Sequence, residues 1–472
     1  MRHFFLALAL FTVCSVSAQE NNTLPLPTRT QLSWHETEYY LFMHFGPNTF
    51  TGKEWGEGTE PEDIFNPADL DCRQWCRVAK AAGAKGIIIT AKHHDGFCLW
   101  PSKYSKHTVR ESRWKDGKGD VLKELSKACR EYGLKFGVYL SPWDRNHPDY
   151  GTEAYNSVFV NMMKEIFEEY GPVWEMWWDG ANGEGPNGKR QVYDWTRFEQ
   201  TVRQYSPRTM VFSDIGPDIR WVGNENGIAG DPNWNYLDTA GFKRGAGGPP
   251  ADSLSHGNYW GSNWIPAECD VSIRPGWFWR AAEDSKVKSP EQLFQIYLRS
   301  VGRGANLLLN VPPDNRGLIS ATDSASLAGF KILRDENFGE NLLKSARTYY
   351  QFSNSDLPGG KLALQSMDST GQNYTVNLQN FIVEMPKPSS MNCIILREAI
   401  HRGQTIRKFH IQIFNGNKMV REINGSSVGR KRILTFGTTT ATSFTVYLDD
   451  AKGGDNIIGV TAYLLDEKLL EK

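Results

Sequence analysis

A chain of 472 residues exceeds most single domains, so two domains are the natural expectation. Its 53 Lys and Arg against 54 Asp and Glu leave a formal net charge of −1, which excludes the basic field that nucleic acid or an anionic membrane would need. Sixteen tryptophans are more than a core requires and favour a site that packs flat rings against sugar faces.

Residues 1–18 read as a secretory leader. Arg2 and His3 are followed by an apolar run over 4–13 and by small residues at Ser15-Val16-Ser17-Ala18, with a cut expected after Ala18. The run is too short to span a bilayer, and no later stretch is long and apolar enough. Export to the periplasm or medium without a membrane span is therefore expected, and Val13 before Cys14 argues against a lipid anchor. The six remaining cysteines (Cys72, Cys76, Cys98, Cys129, Cys269 and Cys393) are scattered through a chain large enough to build a core, and are read as buried free thiols.

From residue 39 to 311 short apolar runs alternate with helical ones. A strand over 39–45 ends at His44-Phe45-Gly46, and 73–82 is helical up to Gly83. A β-branched strand at 86–91 runs into His93-His94-Asp95-Gly96-Phe97. Asp120 caps a helix ending at Gly133, and 134–140 is the next strand. Residues 154–170 are helical, with Gly171-Pro172 as the stop, and 173–178 climbs through Trp177-Trp178 to Asp179-Gly180. Further strands are expected at 209–214, 219–222, 270–273 and 307–311, with helices at 195–205 and 290–301. Eight strands with helices between most of them predict a (β/α)8 barrel over 19–345. The segment 214–219 is too short for a helix, so the barrel should be irregular. Beyond residue 345 short strands at 373–378, 392–396, 408–414, 432–436, 443–448 and 457–464, with Asn415-Gly416 as a hairpin signal, predict a β-sandwich over 346–472.

Polar residues crowd the C-terminal ends of the barrel strands, where such folds build their sites. Asp179, at the end of a tryptophan-rich strand, is the candidate nucleophile of a sugar-cleaving centre. Retaining glycoside cleavage needs a second carboxyl about 5 Å away. Glu54, Asp95, Asp144, Asp214, Glu225 and Glu268 are the candidates. Glu225 stands out in Trp221-Val222-Gly223-Asn224-Glu225-Asn226-Gly227, because an acid near Trp221 can lose solvent and keep its proton. Successive histidines on an extended strand point to opposite sides, so His93 and His94 are not expected to share a metal, and no cofactor is expected. Glu54 and Trp55 suit hydroxyl and ring contacts to a sugar. In Trp277-Phe278-Trp279 at least one ring should line a cleft.

Together, Phe42-Met43-His44-Phe45-Gly46, Glu54-Trp55-Gly56, His93-His94-Asp95-Gly96-Phe97 and Trp177-Trp178-Asp179-Gly180 resemble glycoside hydrolase family 29, the retaining α-L-fucosidases. The resemblance implies double displacement with Asp179 as nucleophile. It also implies a fucose pocket lined by His44, Glu54, Trp55, His93, His94, Tyr139 and Trp177, with Trp279 near the fucose methyl group. The segment 221–227 is similar to the branch acting on α-1,3/1,4-fucosylated, Lewis-type glycans, which implies Glu225 as acid/base, with Glu268 and Asp214 as fallbacks. The alternatives are a broad-specificity fucosidase and an inactive fucose-binding protein on the same barrel. The substrate partner is a fucosylated oligosaccharide or glycoconjugate.

Overall fold

The computed structural model describes residues 24–244, 248–350, 362–364, 380–452 and 457–470. The expected leader at 1–18 and the expected strand at 373–378 lie outside the described residues. Eight parallel strands close a barrel: β1 (Tyr39–Met43), β2 (Gly86–Lys92), β3 (Lys135–Leu140), β4 (Glu175–Trp177), β5 (Met210–Ser213), β6 (Ile219–Trp221), β7 (Ala267–Ser272) and β8 (Asn306–Asn310). Closure comes from β8, whose Leu307–Asn310 stretch lies in register with Tyr39–Phe42 of β1. Strands buried on both faces need continuous apolar sequence, and Gly86–Lys92 is buried at every position.

Helices cover the outside. Asp71 caps the helix Cys72–Ala81 and Asp120 caps Val121–Tyr132, their carboxylates accepting from the first-turn N–H groups. Ser289 and Gln292 form a reciprocal capping box on Pro290–Arg299. The barrel interior holds Tyr40, Phe42, Ile88, Tyr139, Trp177, Phe212, Ile219 and Leu308. No helix lies between β5 and β6. Asp218 closes that short crossing instead, accepting from the Val211 N–H at 2.8 Å and pairing with Arg203. The long excursion between β6 and β7 covers the gap with an antiparallel pair, Tyr236–Leu237 with Asn263–Trp264, and packs Leu237, Leu254 and Ile265 on Ile215.

The seventh strand begins earlier than expected, at Ala267 rather than Asp270. Its alternation of Glu268, Asp270 and Ser272 sends polar side chains into the barrel, which disguises the strand as loop. Glu268 therefore does not sit at the mouth. It is fully buried at the floor, where Oε1 accepts from Trp177 Nε1 at 2.8 Å and Oε2 from the Tyr40 hydroxyl. Glu175 lies beside it and accepts from Trp34 Nε1 at 3.0 Å.

The C-terminal region is a sandwich made from one continuous antiparallel sheet. Its two longest strands, Asn380–Glu398 and Arg432–Ala451, carry bulges and place residues of both halves in a single core. The expected strands at 432–436 and 443–448 are two parts of the second of these. The hairpin at Asn415–Lys418 lies where Asn415-Gly416 signalled it. The sheet grips the barrel through Lys431 and Glu38 at 2.6 Å, Arg432 and Asp231 at 2.6 Å, and Gly302 against Ile433. All six described cysteines are free and buried. Among the described residues no helix is long and apolar enough to cross a membrane.

Candidate active site

The strand ends converge as expected. His44 follows β1, His93 and His94 follow β2, Tyr139 is the penultimate residue of β3, and Asp179 lies two residues past β4. Asp179 is held from two sides: Oδ1 accepts from the Ala181 N–H at 2.7 Å, and Oδ2 from the Tyr139 hydroxyl at 3.1 Å. His94 Nε2 lies 3.8 Å from Oδ2. This contact is not an ion pair near neutral pH, because burial pushes His94 down to about 4 and the Asp179 charge only partly offsets it. The other ring nitrogen, Nδ1, is 2.8 Å from Ser141 Oγ.

The two histidines do not point to opposite sides. The strand ends at Lys92, and in the turn that follows their rings lie 4.2 Å apart and face one cavity. Gly96 makes this turn possible: its φ is +85°, and a Cβ there would lie 2.4 Å from Asp144 Oδ1. Burial lowers His93 well below its ordinary value and takes His44 down to about 3, so neutral imidazoles line the pocket. His44 Nδ1 is 2.9 Å from Asn310 Oδ1. Asn310 in turn donates to the Trp277 carbonyl at 2.8 Å. Among the described residues no group of three or more His, Cys, Asp or Glu side chains is placed to hold a metal ion.

Two adjoining cavities meet at the carboxylates. One, of about 160 Å³, is lined by Phe42, His44, Trp55, His93, His94, Tyr139 and Trp277. The other, of about 310 Å³, is lined by Gly180, Phe212, Asp214 and Trp221. Trp177, Asp179, Ala181, Glu225 and Asp270 border both. Trp177 is fixed by stacking on Phe212 at 4.0 Å and by its bond to Glu268. Glu225 reaches the same space from the exposed turn after β6, with Trp277 Nε1 3.3 Å from Oε2. Loss of solvent raises its pKa above the ordinary value, and the charges of Asp179 and Glu54 raise it further.

Of the other carboxylates, Asp214 lines the larger cavity. Asp95 accepts from Asn48 at 2.9 Å and from the Phe97 N–H at 2.8 Å, and Asp144 pairs with buried Lys92 at 3.1 Å. Both hold the walls and border neither cavity. Glu54 also stands back from the cavities, accepting from Arg280 and from the Trp277 N–H. Trp279 does not line the pocket. Its ring lies 5.9 Å from the Arg274 guanidinium, and Trp277, two residues earlier, forms the wall, with Phe278 packed behind on His44 and His93.

Sequence reasoning missed Asp270. It is buried, accepts from Trp221 Nε1 at 2.9 Å, and is raised well above the ordinary range by burial and then by Glu225. The one signal that could have found it is the period-two alternation of Glu268, Asp270 and Ser272, which puts Asp270 on the same barrel-facing side as Glu268.

A model of the α-L-fucosidase family matches residues 11–331. Alpha-L-fucosidase 1 of Arabidopsis thaliana is 38% identical over 97% of this chain and 93% of its own length. A glycoside hydrolase 29 family member from an unknown rumen bacterium superposes with a TM-score of 0.82 at 38% identity, covering 94% of this chain and 78% of that one. A Ruminococcus gnavus GH29 fucosidase in complex with fucose gives a TM-score of 0.81 at 29% identity, covering 95% and 96%. With these matches spanning the barrel and the sheet alike, the chain belongs to the α-L-fucosidases of glycoside hydrolase family 29.

Proposed function

We propose that this α-L-fucosidase cleaves with retention, using Asp179 as nucleophile and Glu225 as acid/base, and that it prefers α-1,3/1,4-linked fucose on Lewis-type glycans. One observation carries the reading: Asp179 and Glu225 border the same two cavities, and the charge of the first adds to the upward shift of the second. In the first step an Asp179 oxygen bonds to the anomeric carbon as the glycosidic C–O bond breaks. The departing electron pair takes the Glu225 proton, leaving a fucosyl ester. In the second step Glu225, now a carboxylate, takes a proton from water as that water attacks the anomeric carbon and frees Asp179.

The linkage preference rests on the segment 221–227, which sets Trp221 and Glu225 together on the larger cavity. Proton NMR of the first-formed product tests the mechanism: α-fucose appearing first supports retention, and β-fucose appearing first overturns it. A panel of α-1,2, α-1,3, α-1,4 and α-1,6 fucosides with an aryl fucoside tests the preference, which fails if the aryl and α-1,2 substrates are cleaved best. Export is proposed from residues 1–18, and N-terminal sequencing of the mature protein starting at Gln19 would bear it out.

A further inference from the structure

Ser141, the residue after β3, ties the wall of the smaller lobe into a buried hydrogen-bond chain. The direction of every bond in that chain is set by its ends. Lys92, buried at the end of β2 and paired with Asp144 at 3.1 Å, donates to the Trp143 carbonyl at 3.3 Å. The Ser141 hydroxyl donates to the same carbonyl at 2.8 Å. A carbonyl oxygen only accepts, so Ser141 spends its single proton there. Tyr139, the other hydroxyl beside Ser141, spends its own proton on Asp179 Oδ2. Ser141 Oγ is thus left with lone pairs toward His94 Nδ1, which lies 2.8 Å away.

A neutral imidazole carries its proton on one nitrogen and a lone pair on the other. The bond to Ser141 places the His94 proton on Nδ1 and leaves Nε2 bare. The reverse tautomer would turn the Ser141 proton away from the Trp143 carbonyl. It would also aim an Nε2 proton at Asp179 Oδ2 across 3.8 Å, beyond hydrogen-bond reach. That arrangement makes one hydrogen bond fewer.

His44 reaches the same state on a different support. Asn310 Nδ2 faces the Trp277 carbonyl at 2.8 Å and Ser272 Oγ at 2.9 Å. A carbonyl needs a donor, so the opposite end of this amide is its oxygen. Asn310 Oδ1 therefore accepts from His44 Nδ1 at 2.9 Å, and His44 Nε2 is bare as well. Both rings line the smaller lobe together with Asp179. A wall of acceptors needs a ligand that donates.

We propose that Ser141 is a positioning residue that holds His94 with its proton on Nδ1, and that the bare Nε2 atoms of His44 and His94 make the pocket select sugars by their hydroxyl protons. The proposal rests on the fucosidase reading and deepens it. The sugar accepted is fucose with free ring hydroxyls, and an O-methyl, O-acetyl or fluorine substituent at a contacted position is refused.

Nitrogen-15 NMR of histidine-labelled protein, with His94 identified by the signal lost in His94→Asn, reads the tautomer directly. Wild type should show the proton on Nδ1, and Ser141→Ala should move it. A wild-type proton on Nε2, or a His94 signal unchanged in Ser141→Ala, overturns the proposal. L-fucose and its 2-fluoro, 3-fluoro and 4-fluoro analogues are then compared as competitive inhibitors of aryl α-L-fucoside cleavage. Fluorine keeps the size of a hydroxyl and donates nothing, so at least one analogue should bind wild type about tenfold or more weakly than fucose. Equal binding of all three overturns the proposal. In Ser141→Ala the ratio between fucose and that analogue should narrow, whereas a residue serving the fold alone would weaken both equally and leave the ratio unchanged. If Ser141→Ala does not fold, the wild-type spectrum and inhibitor series still decide. Failure of wild type to cleave the aryl fucoside counts against the catalytic reading alone, and the spectrum then decides the tautomer.

Discussion

The Tyr139 hydroxyl donates to Oδ2 of Asp179 across 3.1 Å, joining the penultimate residue of β3 to a carboxylate just past β4. The ring that carries this hydroxyl is itself fixed, stacked 5.2 Å from Trp177 and 5.7 Å from His93. The carboxylate is thus aimed by a rigid aromatic wall. Tyr139→Phe keeps the wall and deletes the donor. Hydrogen bonds to charged groups contribute about 1.5–3 kcal/mol, so kcat/KM should fall by roughly ten- to a hundredfold with little change in Tm. Steady-state kinetics and thermal unfolding on the same preparation would check it. A fall in Tm of many degrees would mean the hydroxyl serves the fold instead.

Loss of solvent raises the Glu225 pKa above the ordinary carboxylate value, and the negative charge of Asp179 adds to that rise. Removing that charge in Asp179→Asn should therefore lower the Glu225 pKa, because its ionised form no longer faces a like charge. A ¹³C NMR titration of the Glu225 carboxyl in both proteins measures the shift. An unchanged titration would place Glu225 outside the field of the nucleophile.

Leaving-group chemistry gives an independent check on the same residue. An aryl fucoside with a good leaving group needs little proton donation, whereas a sugar leaving group needs it fully. Glu225→Ala should lose about 10²- to 10⁴-fold on a Lewis-type trisaccharide, and much less in the first step on the activated aryl fucoside. Near wild-type cleavage of the trisaccharide would move the acid/base role elsewhere, with Asp214 on the same cavity as the next candidate.

The floor of the barrel provides a pH-dependent stability effect. Burial raises Glu268 from 4.5 to about 7, and burial together with Glu268 raises its neighbour Glu175 well above the ordinary value. Between pH 4.5 and 7 the folded protein therefore binds more protons here than the unfolded chain. Its stability from this pair is present at low pH and is lost as pH rises through that window. Glu268→Gln removes one titration while keeping an acceptor for Trp177. The variant should compare more favourably with wild type at pH 8 than at pH 5, by roughly 1.4 kcal/mol for each pH unit of difference in titration. Chemical denaturation at the two pH values measures this, and a pH-independent difference would refute it.

The barrel was legible because its strands are short apolar runs bounded by caps and stops, as in Gly86–Lys92 before the histidines and Lys135–Leu140 after Gly133. Asp179 was legible for the same reason, standing where an apolar strand ends. What failed was side-chain direction. His93 and His94 were read on a strand that had already ended. Trp277 and Trp279 carry the same ring two positions apart, and only the loop geometry decides which one faces the cavity. Glu268 and Asp270 were obscured because a barrel interior with polar layers breaks the apolar pattern that marks a buried strand.

The C-terminal sheet meets the barrel where the chain enters its strands, at Glu38 ahead of β1 and Gly302 ahead of β8. The catalytic residues open at the other ends of those strands. An enzyme tethered through its sheet to a bead or a fusion partner would therefore present its mouth outward. Bulky glycoconjugates could then approach without steric conflict from the support, and the size of substrate accepted would be governed by the loops of the barrel itself.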